Sequence, residues 1–318
     1  MHRFDFRSRL FVRRRVVLIP MVSALIAACV AVVDGWWDRG HFLTGQAAAE
    51  ALPAEMPAFF RDAAAQLSYL NYEPDRWKES AERKADPALN GASAPEHYMD
   101  MEYVPPALLA LPNRFEFMLA LARQKKMSGG QSGMLPYRIV ELFQTIRINF
   151  RLWRNAPDPT TRGWIEQRIV DDAGVLGHYV GDAANPLHTT MHHNGWVGKK
   201  NPNKFTTDNT LHARFEGKFV EAQITIADVK PSVRADARVI AQPRQEVLRF
   251  INESHAQVEP LYRLEQQEKF SEQTKAPTHK TFVVDRLAAG ATFLRDLWWT
   301  AYITSAEPAP QPTPSPSK

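Results

Sequence analysis

The stretch L-P-Y-R-I-V-E-L-F-Q-T-I-R-I-N-F-R-L-W fills positions 135–153. Apolar residues at three- and four-residue spacing run through it: Ile139, Leu142, Phe143, Ile146, Ile148, Phe150 and Leu152. That period predicts an α-helix with a broad buried face. Working outward, a second helix is expected from about 160 to 182, stopped by Asn185-Pro186, because proline cannot continue a helix. Further helices are expected at 40–52, 58–70, 207–226, 231–256 and 281–303. Loops are expected at 71–104, 127–133 and 194–205. Alternating strand patterns are nearly absent, and no repeat or linker breaks the chain. The fold class read from this pattern is all-α, a single-domain helical bundle.

The 318 residues, 44% of them hydrophobic, can bury a sizeable core. The organisation expected is a leader at 1–35, a folded domain at 36–303 and a Pro-rich disordered tail at 304–318. In the leader, Arg13, Arg14 and Arg15 precede an apolar run from Val16 to Val33. A basic start followed by such a run is an export signal. Val33 and Gly35 suit the −3 and −1 positions of a cleavage site, which would leave Trp36 as the new N-terminus. The 18-residue run is also just long enough for an uncleaved anchor, and Leu25-Ile26-Ala27-Ala28-Cys29 resembles a lipoprotein processing site. Cys29 is the only cysteine, so no internal disulfide forms in the mature chain. Removing the leader's six arginines and two aspartates from totals of 39 and 35 leaves 33 charges of each sign. The basic whole-chain charge therefore carries no information about nucleic-acid binding.

Three local patterns carry chemistry: W-W-D-R-G-H at 36–41, H-Y-V-G-D-A-A-N-P-L-H at 178–188 and H-A-R-F-E at 212–216. His178 and Asp182 lie four apart on an expected helix, one turn from each other on one side. His188 follows the Asn185-Pro186 break, where the chain can turn back toward them. His212 and Glu216 repeat the four-residue spacing. Either pair alone would suit a surface ion pair. Taken together, the segments supply imidazole and carboxylate donors of the kind that bind zinc.

With these motifs the chain resembles the superfamily of zinc-dependent phospholipases C and single-strand nucleases of the S-one/P-one type. The resemblance covers most of residues 36–220. It implies an all-α bundle with a trinuclear zinc cleft. It also implies nine metal ligands: Trp36, through its free α-amino and carbonyl groups, and His41, Asp75, His97, His178, Asp182, His188, His212 and Glu216. Asp182 would bridge the ion of Trp36 and His41 to a second ion held by Asp75, His97 and His178. His188, His212 and Glu216 would hold the third. A free α-amino group titrates near ~8, so zinc displaces its proton readily. Cleavage before Trp36 would then complete the site.

The activity implied is hydrolysis of a phosphate ester. Asp75 would orient or deprotonate the attacking water, and Lys78 would stabilise charge developing on phosphorus, with Arg76 as the other basic candidate. By the same resemblance Tyr98 would stack a base and Asp100 would hydrogen-bond it. The short Trp-to-His spacing at 36–41 favours a nuclease or 3′-nucleotidase, whereas Glu216 at the last ligand position is the phospholipase residue. Arg39 would repel a quaternary ammonium, although Trp37, Tyr72 and Trp77 could form an aromatic box. The expected partners are single-stranded nucleic acid, a nucleotide or phospholipid, with no obligate protein partner. The expected location is the periplasm or the exterior. A zinc-binding or membrane-anchored envelope protein without turnover is the reading from another class. Among the remaining histidines, His192 and His193 read as a surface loop pair or cleft lining, and His255 and His279 as structural or exposed. Asp171-Asp172 reads as a solvated face.

Overall fold

Asp158 and Pro159 open a 26-residue helix, Pro159–Ala184, that runs through the middle of the protein. The Asp158 side chain caps it by accepting from the Thr161 N–H at 2.9 Å. Pro159 sits in the first turn, where no backbone donor is needed. The helix ends at Ala184 because Asn185, preceding a proline, adopts an extended conformation (φ −83°, ψ 119°). A computed structural model describes residues 37–306; they lie within the compact unit Val33–Lys318. The leader, Cys29, Trp36 and the tail from 307 onward fall outside the described residues.

The central helix packs against Leu135–Arg154 on one side and Pro277–Thr304 on another. The first helix, Trp37–Glu50, joins Pro277–Thr304 and the short helix Ala64–Leu70 to complete the layer. Phe60, Phe150 and Trp298 meet in the core, with Phe60 edge-on to Trp298 at 5.4 Å between ring centres. The Trp298 indole N–H finds its partner in the Ala173 carbonyl at 3.2 Å. Among the described residues there is no β-strand, only an isolated bridge between Met99 and Gly133. The all-α expectation is met. No helix among the described residues is long and apolar enough to cross a membrane.

Several boundaries differ from the sequence reading. The expected loop at 71–104 contains the short helices Glu73–Arg76, Ser80–Ala85 and Ala88–Ser93 and a 3₁₀ turn at Ala94–His97. A helix at Arg114–Lys125 was not anticipated, nor was Val258–Gln267. The expected helix at 231–256 begins only at Pro243. Before it, the chain is irregular and is anchored by the fully buried Arg295, whose guanidinium donates to the carbonyls of Arg234 and Asp236. The last helix continues through Thr304, past the expected end of the domain at 303. Asp172 is not solvated: it is 5% exposed, accepts from Asn149 Nδ2 at 3.1 Å and pairs with Arg168 at 2.7 Å.

Candidate metal centre

The central helix brings His178 and Asp182 to one side, one turn apart and both fully buried. Their Nε2 and Oδ2 atoms are 3.3 Å from each other. The helix Glu73–Arg76 contributes Asp75, and the 3₁₀ turn Ala94–His97 contributes His97. His97 Nδ1 lies 3.1 Å from Asp182 Oδ2, 2.9 Å from His178 Nε2 and 3.8 Å from Asp75 Oδ1. His178 Nε2 lies 3.7 Å from the same Asp75 oxygen. Two donors on one tetrahedral zinc, each ~2.0–2.1 Å from it, stand roughly 3.3 Å apart. The 3.7 and 3.8 Å separations are too long for hydrogen bonds, and the set scatters about the spacing of donors around one ion.

His41 reaches the other oxygen of Asp182, Oδ1, at 3.6 Å. Its ring stacks on His178 at 3.9 Å between centres. The Asp182 carboxylate thus faces His41 and His188 with one oxygen and His97 and His178 with the other. Trp36, the remaining ligand expected beside His41, lies outside the described residues. The third group is His188, His212 and Glu216. His188 Nε2 is 3.1 Å from Glu216 Oε1, and His212 Nε2 meets the same oxygen. The 3₁₀ turn Pro186–Thr189 after the proline break carries His188 back toward Asp182, whose Oδ1 is 3.6 Å from its Nδ1. His212 and Glu216 span the junction of a helical turn, Leu211–Ala213, and a π-helical segment, Arg214–Phe219. Such widened turns occur mostly at functional sites.

Outer partners fix the ring orientations. His178 Nδ1 donates to the Asn71 carbonyl at 2.9 Å, which leaves Nε2 for the site. His188 Nδ1 donates to the His97 carbonyl at 2.6 Å. Asn185 accepts from the Leu187 N–H and donates Nδ2 to Glu216 Oε1 at 2.5 Å. Sequence reading took Asn185 only as a helix stop; its position inside the 178–188 motif was the available signal.

The residues fit divalent cations. In each of three groups the atoms that could hold a metal lie within 4.8 Å of one another: His41, His178 and Asp182; Asp75, His97 and His178; and His188, His212 and Glu216. Both His41 nitrogens, His97 Nε2, Asp75 Oδ2, Asp182 Oδ1 and Glu216 Oε2 are buried without a hydrogen-bond partner. Buried polar atoms rarely go unpaired. Electrostatics point the same way. Burial and the neighbouring His178 push His41 well below its usual range, and burial, aided by Lys78, lowers His97 to about 4. Burial opposes ionisation of Asp75 and Asp182, yet the surrounding imidazoles, with Lys78 at Asp75, outweigh it and hold both carboxyls below their ordinary range. Neutral imidazoles and ionised carboxylates are the forms that bind metal; His188, which burial pulls down but Asp182 and Glu216 lift to about 9, is the exception.

Lys78 Nζ sits 2.5 Å from Asp75 Oδ1 with its side chain 6% exposed. Arg76, the other basic candidate, is engaged elsewhere: it pairs with Glu73 and lies 4.0 Å over the Tyr69 ring. Tyr98 is half-buried, and its hydroxyl donates to the Gly130 carbonyl at 2.6 Å. Asp100 is buried, which with the nearby Glu102 raises its carboxyl to about 7. His193 is not a surface residue of an exposed loop: it is half-buried, 6.1 Å from the His212 ring. Its closeness in sequence to His188 was the available signal, and of the two readings given for it this approach fits cleft lining. His192 stacks on Trp196 at 3.8 Å, His255 donates to the Thr189 carbonyl, and His279 is a buried structural residue.

Comparisons with protein families, with curated proteins and with solved structures return no match for this chain.

Proposed function

We propose that this protein is an exported hydrolase of phosphate esters that works with zinc, and that single-stranded nucleic acid or a 3′-nucleotide is its substrate. The observation that carries the reading is the Asp182 carboxylate, buried between His41 on one oxygen and His97 and His178 on the other. A carboxylate so placed suits a bridge between two cations. The resemblance of its motifs to the zinc-dependent phospholipase C and single-strand nuclease superfamily adds the reaction class. Imidazole and carboxylate donors suit zinc as well as other first-row divalent ions, and the resemblance selects zinc among them.

Zinc held here would neutralise an anionic phosphodiester and supply water acidified toward neutrality. The protein's own groups would do the rest. Asp75 would orient the attacking water or take its proton. Lys78, held at Asp75 in a nearly dry setting, is a preorganised positive charge for the transition state. Tyr98 and Asp100 follow His97 directly and would contact the base.

The test is an assay panel on the zinc-loaded protein, recovered after export, with single-stranded DNA, RNA, 3′-AMP and lecithin. Hydrolysis of the nucleic acids and 3′-AMP is expected, with an N-terminus at Trp36 by sequencing. Turnover of lecithin alone would make the protein a phospholipase C. Stoichiometric zinc without any turnover would make it a metal-binding envelope protein.

A further inference from the structure

Asn71 is a fully buried residue that the reaction does not use. It follows the helix Ala64–Leu70, and its backbone N–H closes that helix by donating to the carbonyls of Leu67 and Ser68. Its own carbonyl accepts from His178 Nδ1 at 2.9 Å. Its carboxamide is odd: neither Oδ1 nor Nδ2 has a hydrogen-bond partner. An orphaned buried amide is costly and calls for a reason.

Two glycines make room for it. A Cβ at Gly177 would stand 1.9 Å from Asn71 Nδ2, and one at Gly45 would stand 2.8 Å from it. Gly177 precedes His178 on the central helix, and Gly45 lies one turn after His41 on the first helix. The carboxamide therefore occupies a slot between the two helices that carry the stacked His41 and His178 rings.

We propose that Asn71 is the positioning residue of the His41–His178 pair. Its carbonyl fixes the His178 tautomer, and its side chain sets how closely the two helices bring their imidazoles to Asp182. This rests on the reading of the site as a metal centre. Outer-shell partners of metal-bound histidines typically tune affinity by ~10–100-fold.

The experiment is zinc titration against a competing chelator, with Co²⁺ absorption spectra as a report on ligand geometry and circular dichroism as a check on folding. Asn71→Ala is expected to weaken binding about tenfold and to change the Co²⁺ spectrum while leaving the helical content intact. Gly177→Ala, which drives a methyl group into the carboxamide, is expected to weaken binding more. The double variant Asn71→Ala/Gly177→Ala, which vacates the slot for that methyl, is expected to recover toward Asn71→Ala. Native affinity and spectrum in folded Asn71→Ala would overturn the proposal, as would a double variant no better than Gly177→Ala. Failure of the native protein to bind zinc would instead remove the metal-centre reading.

Discussion

Lys78 Nζ and Asp75 Oδ1 lie 2.5 Å apart, and their side chains are 6% and 0% exposed. A basic residue three positions after a carboxylate is ordinary on a solvated loop; this one is held inside the site. In the proposed reaction Lys78 would offer a charge but no donor to the cations, since an ammonium has no lone pair. Lys78→Ala is therefore expected to lower kcat by ~10²–10³-fold, the scale for losing one preorganised electrostatic group. Zinc content should not change. Measuring both on the same preparation checks the assignment, and loss of metal would refute it.

His178 stands between two groups of donors: it faces Asp75 and His97 on one side and stacks on His41 on the other. His178→Ala should remove at least one zinc per chain by elemental analysis. Turnover should fall beyond the ~10–100-fold usual for outer-shell partners. Full activity in the folded variant would place the chemistry elsewhere.

The two helical pairs were legible because four-residue spacing on a helix fixes relative position: 178 with 182, and 212 with 216. Asp75 and His97 were not legible that way, since they lie in a segment punctuated by Pro74, Pro87 and Pro95. Only the resemblance to a known superfamily assigned them. The helix Arg114–Lys125 escaped because Phe117 to Ala122 are apolar without a break, although Phe115 and Leu119 face solvent at 72% and 51% exposure. A short continuous apolar run shows no helical period. The expected helix at 231–256 failed where Arg295 and Asp296, some 60 residues away in sequence, tie down residues 234–238. No local pattern reports such a tether. Asn71 was silent because an asparagine that backs a ligand has no spacing rule of its own, and Asn185 was legible only as a helix stop.

Asn185 donates to the same Glu216 oxygen that His188 and His212 approach. Its other carboxamide atom holds the turn that carries His188. Asn185→Ala should thus weaken zinc at the His188, His212 and Glu216 group by ~10–100-fold. It should also cost about 1–3 kcal/mol in stability by orphaning buried partners. Chelator competition and thermal melts of the same variant check the two effects. Unchanged affinity with reduced stability would confine Asn185 to a structural role.

The last prediction concerns pH in the metal-free protein. Burial pulls the His188 imidazole down, but the Asp182 and Glu216 carboxylates outweigh it and lift it from near 6.5 to about 9. The folded state therefore holds a proton that the unfolded chain releases earlier. That contribution to stability is complete below about pH 6.5 and is lost as pH rises through about 9. The gap is worth at most about 3 kcal/mol. Melting temperature of the chelated protein is expected to fall between pH 6.5 and 9, and the same interval in His188→Asn should be flatter, because that variant has nothing to titrate there. Zinc must displace this proton, so its affinity at the third group should rise over the interval, by up to about tenfold per pH unit. A level melting profile in the native metal-free protein, or zinc binding that is independent of pH, would show that His188 is already neutral and that the two carboxylates do not act on it together.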